Sequence, residues 1–183
     1  MVMNFLKGFV PVVADKTRDW IESQRAEYLP RARPLSSEER SALAGFFPEE
    51  SLAAARVAAV AQIPNPPFFA SLIHQLEFIG KRVDFDFSAA SGITFGECIL
   101  LAVPGPPIDA LFHELVHSEQ YRLLGMDAFA RAYVQGIIDS DFSYEKIPLE
   151  AIAYEMAARF KGGQWFSVHE ELRAWLQQKN HFS

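Results

Sequence analysis

The sequence predicts a single α+β domain over residues 1–183, mostly helical, with a small twisted β-sheet placed before the helix that carries its most informative residues. Three observations predict this. Segments with helix-spaced apolar residues occupy both ends of the chain. β-branched and aromatic residues gather between Val83 and Ala102. No linker, repeat or low-complexity tract divides the chain, and its length suits one domain.

Composition narrows the function classes. Hydrophobic residues make up 50% of the chain and charged residues 22%, a globular profile, and the 16 Phe and 3 Trp supply core bulk. A net charge of -6 argues against a nucleic-acid partner, which calls for clustered Lys and Arg. The single cysteine, Cys98, excludes an internal disulfide and suits a reducing, cytoplasmic setting. Export stays open, because Met1 to Ala14 faintly resembles a signal sequence, although Gly8 and Pro11 break its apolar run. No stretch reaches the roughly 20 apolar residues that span a bilayer. Nothing in the pattern sets the oligomeric state.

Residues 13 to 29 read as a helix ended by Pro30 and Pro34. Ser36-Ser37-Glu38-Glu39 is a capping-box start for a short helix that stops near Pro48, completing an N-terminal helical segment over 1–50. Arg56 to Ile63 reads as helix or strand: the upstream Leu52 to Ala55 favours helix, and Pro64 to Pro67 sets where it ends. Phe68 to Ile79 reads as a helix closed by Gly80. Val83, Phe85 and Phe87 alternate with Asp84 and Asp86, as in a strand, and Ile93 to Ala102 reads as a second strand with Gly96 as a bulge. After the stiff Pro104 to Pro107 loop, helices are predicted over 108–124, 127–138 and 148–160, with 139–146 as loop. Ser167-Val168-His169-Glu170 caps a last helix within 161–183.

The chemistry lies in His113-Glu114-Leu115-Val116-His117. Residues four apart share a helix face, so both imidazoles reach one metal ion, and Glu114, turned about 100° round the axis, reaches a water beside it. This is the zinc metalloprotease arrangement. With 5 His and 15 Glu, such a motif arises by chance only ~0.01 times in a chain of this length. Two exposed helix histidines without metal are the plain alternative. Leu111, Phe112, Leu115 and Val116 make the surroundings apolar. Catalytic zinc takes three protein ligands and keeps one position open. A third histidine six residues on is excluded by Leu123, so a later carboxylate is expected. Glu150 opens a helix whose face continues through Ala153, Tyr154 and Ala157; Glu155 is its rival, and Glu119 and Glu145 are poorly placed. His74 and His181 are not expected as ligands, nor Cys98 as a nucleophile.

On these residues the chain resembles gluzincin-type zinc metallopeptidases. His113-Glu114-Leu115-Val116-His117, with Gln120-Tyr121 and then Pro148-Leu149-Glu150 and Ala153-Tyr154, is similar to small bacterial metallopeptidases of unassigned substrate, as is the preceding Ile93-Thr94-Phe95-Gly96-Glu97 strand. The likeness spans roughly residues 56 to 160, within a core of 51–160. It implies a zincin-like fold, a zinc ion held by His113, His117 and Glu150, Glu114 as general base, and a peptide or protein substrate lying along an edge strand within 93–102. Thermolysin-like members carry an Asp four residues after the ligand glutamate; here that residue is Tyr154. Asp109, Ser118 or Tyr154 would then orient a histidine. Tyr121, Tyr144, Tyr154 and His169 are candidate oxyanion donors. Three functions follow as expectations: a peptidase, a zinc hydrolase of another amide or ester, and a zinc-binding module without turnover.

Overall fold

The computed structural model describes residues 6–83, 86–102 and 107–178. A four-stranded mixed sheet is enclosed by helices, in line with the α+β expectation. Helix α1 (Val10–Tyr28) starts three residues earlier than the apolar spacing predicts, with a proline in its first turn, where a missing N–H costs nothing. A short 3-10 turn leads to β1 (Arg33–Pro34). Helix α2 (Ser37–Leu43) opens with the expected capping box, the Ser36 hydroxyl and the Glu39 carboxylate exchanging bonds with each other's backbone. Helix α3 (Glu49–Ala54) is an extra element after Pro48.

The ambiguous segment resolves as strand β2 (Arg56–Ala59), since Ala53 and Ala54 belong to α3 and only the residues beyond them pair with the sheet. Helix α4 is Phe69–Phe78. The strand expected at 83–87 is corrected in part: residues 84 and 85 lie outside the described residues, and Phe87–Ala89 is a 3-10 turn capped by Asp86, which accepts from the Ser88 amide at 2.9 Å. The strand expected over 93–102 is two strands, β3 (Gly92–Phe95) and β4 (Cys98–Leu101). Gly96 is not a bulge. With φ of 68° it is the first residue of the two-residue turn that reverses the chain.

The sheet order is β1-β2-β4-β3, with β2 and β4 parallel and the two outer pairs antiparallel. All of β4 is buried. Its side chains alternate between two cores, as the pleat requires. Ile99 and Leu101 join Val57 beneath Leu111, Phe112, Leu115 and Val116 of α5 (Ile108–Leu124), with Ala153 and Met156 of α7 (Pro148–Lys161) and Leu172 of α8 (Val168–Gln178). Cys98 and Leu100 join Ala58 beneath Trp20 and Ile21 of α1 and Phe129 and Ala130 of α6 (Met126–Asp139). Both faces of the sheet are thus covered, which is why β4 reads as an unbroken apolar run rather than an alternating one. Among the described residues no helix is long and apolar enough to cross a membrane.

Helix α5 is the axis of the fold. From Leu111 to His117 every residue is buried, so this helix touches protein on all sides. Phe112 anchors it, stacked on Phe160 of α7 at 4.3 Å between ring centres and edge-on to Phe46 and Phe166. The Phe112→Ala variant should lose about 3–5 kcal/mol of stability, read from the urea midpoint at unchanged slope.

Candidate metal centre

A helix buried all round has no solvent for its polar groups, so each buried polar side chain on α5 needs a protein partner or a ligand. The polar residues His113, Glu114, His117, Glu119 and Gln120 are all buried there. Glu119 finds its partners away from the histidines: Ser51 Oγ donates to it at 2.6 Å, Arg122 at 3.1 Å, and His169 Nδ1 lies 2.6 Å away. This network ties α3 and α8 to α5. It places His169 against Glu119 and not at the motif, so the candidate oxyanion role for His169 is corrected.

His113 and His117 lie one turn apart and turn their Nε2 atoms toward each other, 3.1 Å apart. Glu150 meets them from α7, with its Oε2 3.3 Å from each Nε2. The approach is set by Gly136 of α6, where an added Cβ would lie 3.0 Å from Pro148 and 3.1 Å from Ile147. A side chain here would push the start of α7 outward by a few tenths of an ångström. The rival, Glu155, is exposed on another face beside Arg159, and Glu145 lies on a 3-10 turn (Tyr144–Lys146).

Three donor atoms at 3.1, 3.3 and 3.3 Å form a nearly equilateral triangle. Ligands about 2.0–2.1 Å from a tetrahedral zinc ion stand about 3.3 Å from one another. Glu150 Oε2 is buried and receives no hydrogen bond from the described residues. Two imidazoles and a carboxylate are a donor set suited to zinc. Geometry, donor chemistry and the orphaned oxygen all fit such an ion.

The electrostatics agree. Burial acts to raise the Glu150 pKa, but His117 and His113 outweigh it and hold the carboxyl well below its ordinary range. Burial acts to lower the His117 pKa, but the nearby Glu150 charge, helped by Glu114 and Gln120, pushes it up to about 9. Burial raises Glu114.

Surrounding residues hold each group in place. Gln120, one turn beyond His117, has its Oε1 2.9 Å from His117 Nδ1 and donates through Nε2 to the Leu149 carbonyl at 3.0 Å. Because its amide nitrogen is occupied, its oxygen accepts from Nδ1–H, which leaves His117 Nε2 free to bind a metal. Glu114 reaches the opposite way, toward β3. Thr94 donates to its Oε2 at 2.7 Å, and a Cβ on Gly92 would meet its Oε1 at 2.7 Å. Tyr133 of α6 donates to Glu150 Oε1 at 2.8 Å. Tyr144 also hydrogen-bonds Glu150, and burial, then Glu150, raise both phenols.

The candidates for orienting His113 sit elsewhere. Tyr154 packs its ring against the His113 ring at 4.5 Å. Asp109 lines the nearby cleft but pairs with Lys161 at 2.9 Å, and Ser118 Oγ bonds no described residue. His113 Nδ1 therefore has no hydrogen-bond partner among the described residues. Tyr121 stacks on Phe129 at 3.6 Å and faces the same interior space as Glu114 and His117. Cys98 is buried in the sheet, where desolvation pushes its thiol up to about 11, and His74 is exposed on α4. His181 lies outside the described residues.

Gln120, Thr94, Gly92 and Tyr133 are the neighbours to which sequence reasoning gave no role. Gln120 and Thr94 entered it only through the resemblance, and Gly92 and Tyr133 act across the fold and leave no trace. The chain matches no protein-family model, and no similar curated protein or solved structure is found.

Two outcomes follow. In the metal-free protein His117 holds its proton up to about pH 9, and zinc needs the neutral imidazole. Below that pH the apparent zinc Kd should therefore rise about tenfold per unit, measured by chelator competition between about pH 6 and 8. Replacing Gln120 by Leu should weaken zinc about 10–100-fold by freeing the His117 ring, in the same assay.

Proposed function

We propose that the chain is a zinc-dependent hydrolase of peptide bonds with a zincin-like fold, in which His113, His117 and Glu150 would hold the ion. The observation that carries this reading is the triangle of buried donors on α5 and α7, with the adjacent Glu114 carboxylate pinned beside it. Bound there, zinc supplies a Lewis acid for the scissile carbonyl and acidifies water for attack.

The chain's own residues do the rest. Glu114 takes a proton from the attacking water as its oxygen adds to the carbonyl carbon. It delivers that proton to the amine nitrogen as the C–N bond breaks. Thr94 holds the Glu114 carboxylate and Gly92 leaves it room, so the base needs little reorganisation when the substrate arrives. An open cleft of about 660 Å³ reaches the site and is lined by Gly92, His113, Glu114, Tyr144 and Tyr154. Tyr144 and Tyr154 are the phenols on that cleft wall that could donate to a developing oxyanion. β3 is the edge of the sheet beside the cleft, where an extended substrate can add as a strand.

One observation favours a second reading, a zinc-binding module without turnover: among the described residues His113 Nδ1 has no orienting acceptor of the kind that usually tunes a catalytic zinc ligand. The Glu114→Gln variant separates the two. It should retain about one zinc per chain, by elemental analysis, and lose hydrolysis of a casein or peptide-library substrate by about 10²–10⁴-fold. His113→Ala and Glu150→Ala should lose the metal itself. Zinc bound with no activity in the native chain would support the second reading.

A further inference from the structure

A second cavity of about 130 Å³ adjoins the proposed site and shares Phe87, Gly92, Glu114 and Tyr144 with the open cleft. One end is formed by Glu114, His117, Tyr121, Tyr133, Tyr144 and Glu150, which are the groups of the proposed site. From there it runs between α1, α4 and α6. Its wall follows α1 from Phe9 to Ile21, about 18 Å at 1.5 Å per residue. Lining residues spread along α1, α4 and α6 describe an elongated channel and not a round pocket.

Its chemistry is as restricted as its shape. On α1 and α4 the wall is Phe9, Val13, Trp20, Phe69, Leu72 and their like. The one hydroxyl among them, on Thr17, already donates to the Val13 carbonyl at 2.8 Å. A peptide threaded here would leave its N–H and C=O groups without partners, at a cost of a few kcal/mol each. A single apolar side chain would fill only a short part of the length. An unbranched hydrocarbon chain has no polar group to satisfy and matches the length. Apolar voids of this kind stay dry and accept apolar guests.

We infer that the channel binds an unbranched aliphatic chain, and that the substrate of the neighbouring site is an amide carrying such a chain, as an N-acyl amino acid or peptide does. The chain would lie in the channel and place the carbonyl among Glu114, Tyr144 and Glu150, with the amine side in the open cleft. The cleavage rests on the hydrolase reading given above; binding of the chain does not.

The test uses the full chain stripped of metal with a chelator, so that a failed metal reading cannot be mistaken for a failed channel. Straight-chain fatty acids from hexanoate to palmitate displace a fluorescent fatty-acid probe, below their micelle concentrations. Affinity should rise about fourfold per added methylene until the channel is full, then level off. In Thr17→Phe, shown to be folded by circular dichroism, and in Leu72→Phe as a second obstruction, the plateau should come at shorter chains while the shortest acids bind as before. An affinity independent of chain length, or a profile unchanged in both variants, would overturn the channel. With zinc restored, faster cleavage of a peptide bearing an N-dodecanoyl group than of its N-acetyl counterpart would support the substrate class. Equal rates would overturn it while leaving the hydrolase reading intact.

Discussion

Three electron-pair donors forced together in a buried space need a cation between them. His113, His117 and Glu150 stand in that relation, within 3.3 Å of one another and almost out of reach of water. Without a metal, a proton serves: the Glu150 carboxylate keeps His117 protonated far above its ordinary range. With zinc, the same triangle becomes a ligand set whose edges already have the right length. Much of the local architecture exists to hold these three atoms in register. Phe112 wedges α5 among aromatic rings, Gly136 lets α7 approach, and Gln120 fixes the His117 tautomer while gripping the backbone of the helix that carries Glu150.

The two histidines are held unequally. His117 has a partner that both orients it and couples it to α7, while His113 is steadied by ring contact with Tyr154. The tilted Tyr154 ring restrains the His113 ring plane, whereas a hydrogen bond at Nδ1 orients His117. Glu114 shares α5 with His113 and His117, but its carboxylate is secured from a different quarter, by Thr94 of β3.

The site borders two unlike spaces. The cleft past Tyr154 and Asp109 bears acidic groups, whereas the adjoining cavity is almost wholly apolar. The dry side also lowers the local dielectric around Glu114 and Glu150, which strengthens every charge interaction there.

The sequence by itself determined whatever depends on local spacing. The i, i+4 histidines, the glutamate between them, the capping box at Ser36 and the proline that opens α7 follow from helix geometry, and α5 appears over the residues its periodicity indicates. The tertiary structure decided what depends on distant partners. Whether 56–59 is helix or strand turned on the free edge of β4, and Gly96 became a hairpin turn because β3 and β4 pair with each other. Whether Glu150 or Glu155 faces the histidines turned on which side of α7 meets α5. Thr94 holds Glu114 from 20 residues away, Gly92 leaves its carboxylate room, and Tyr133 reaches Glu150 across a helix pair. Such contacts leave no period in the chain, because they exist only once the layers have packed.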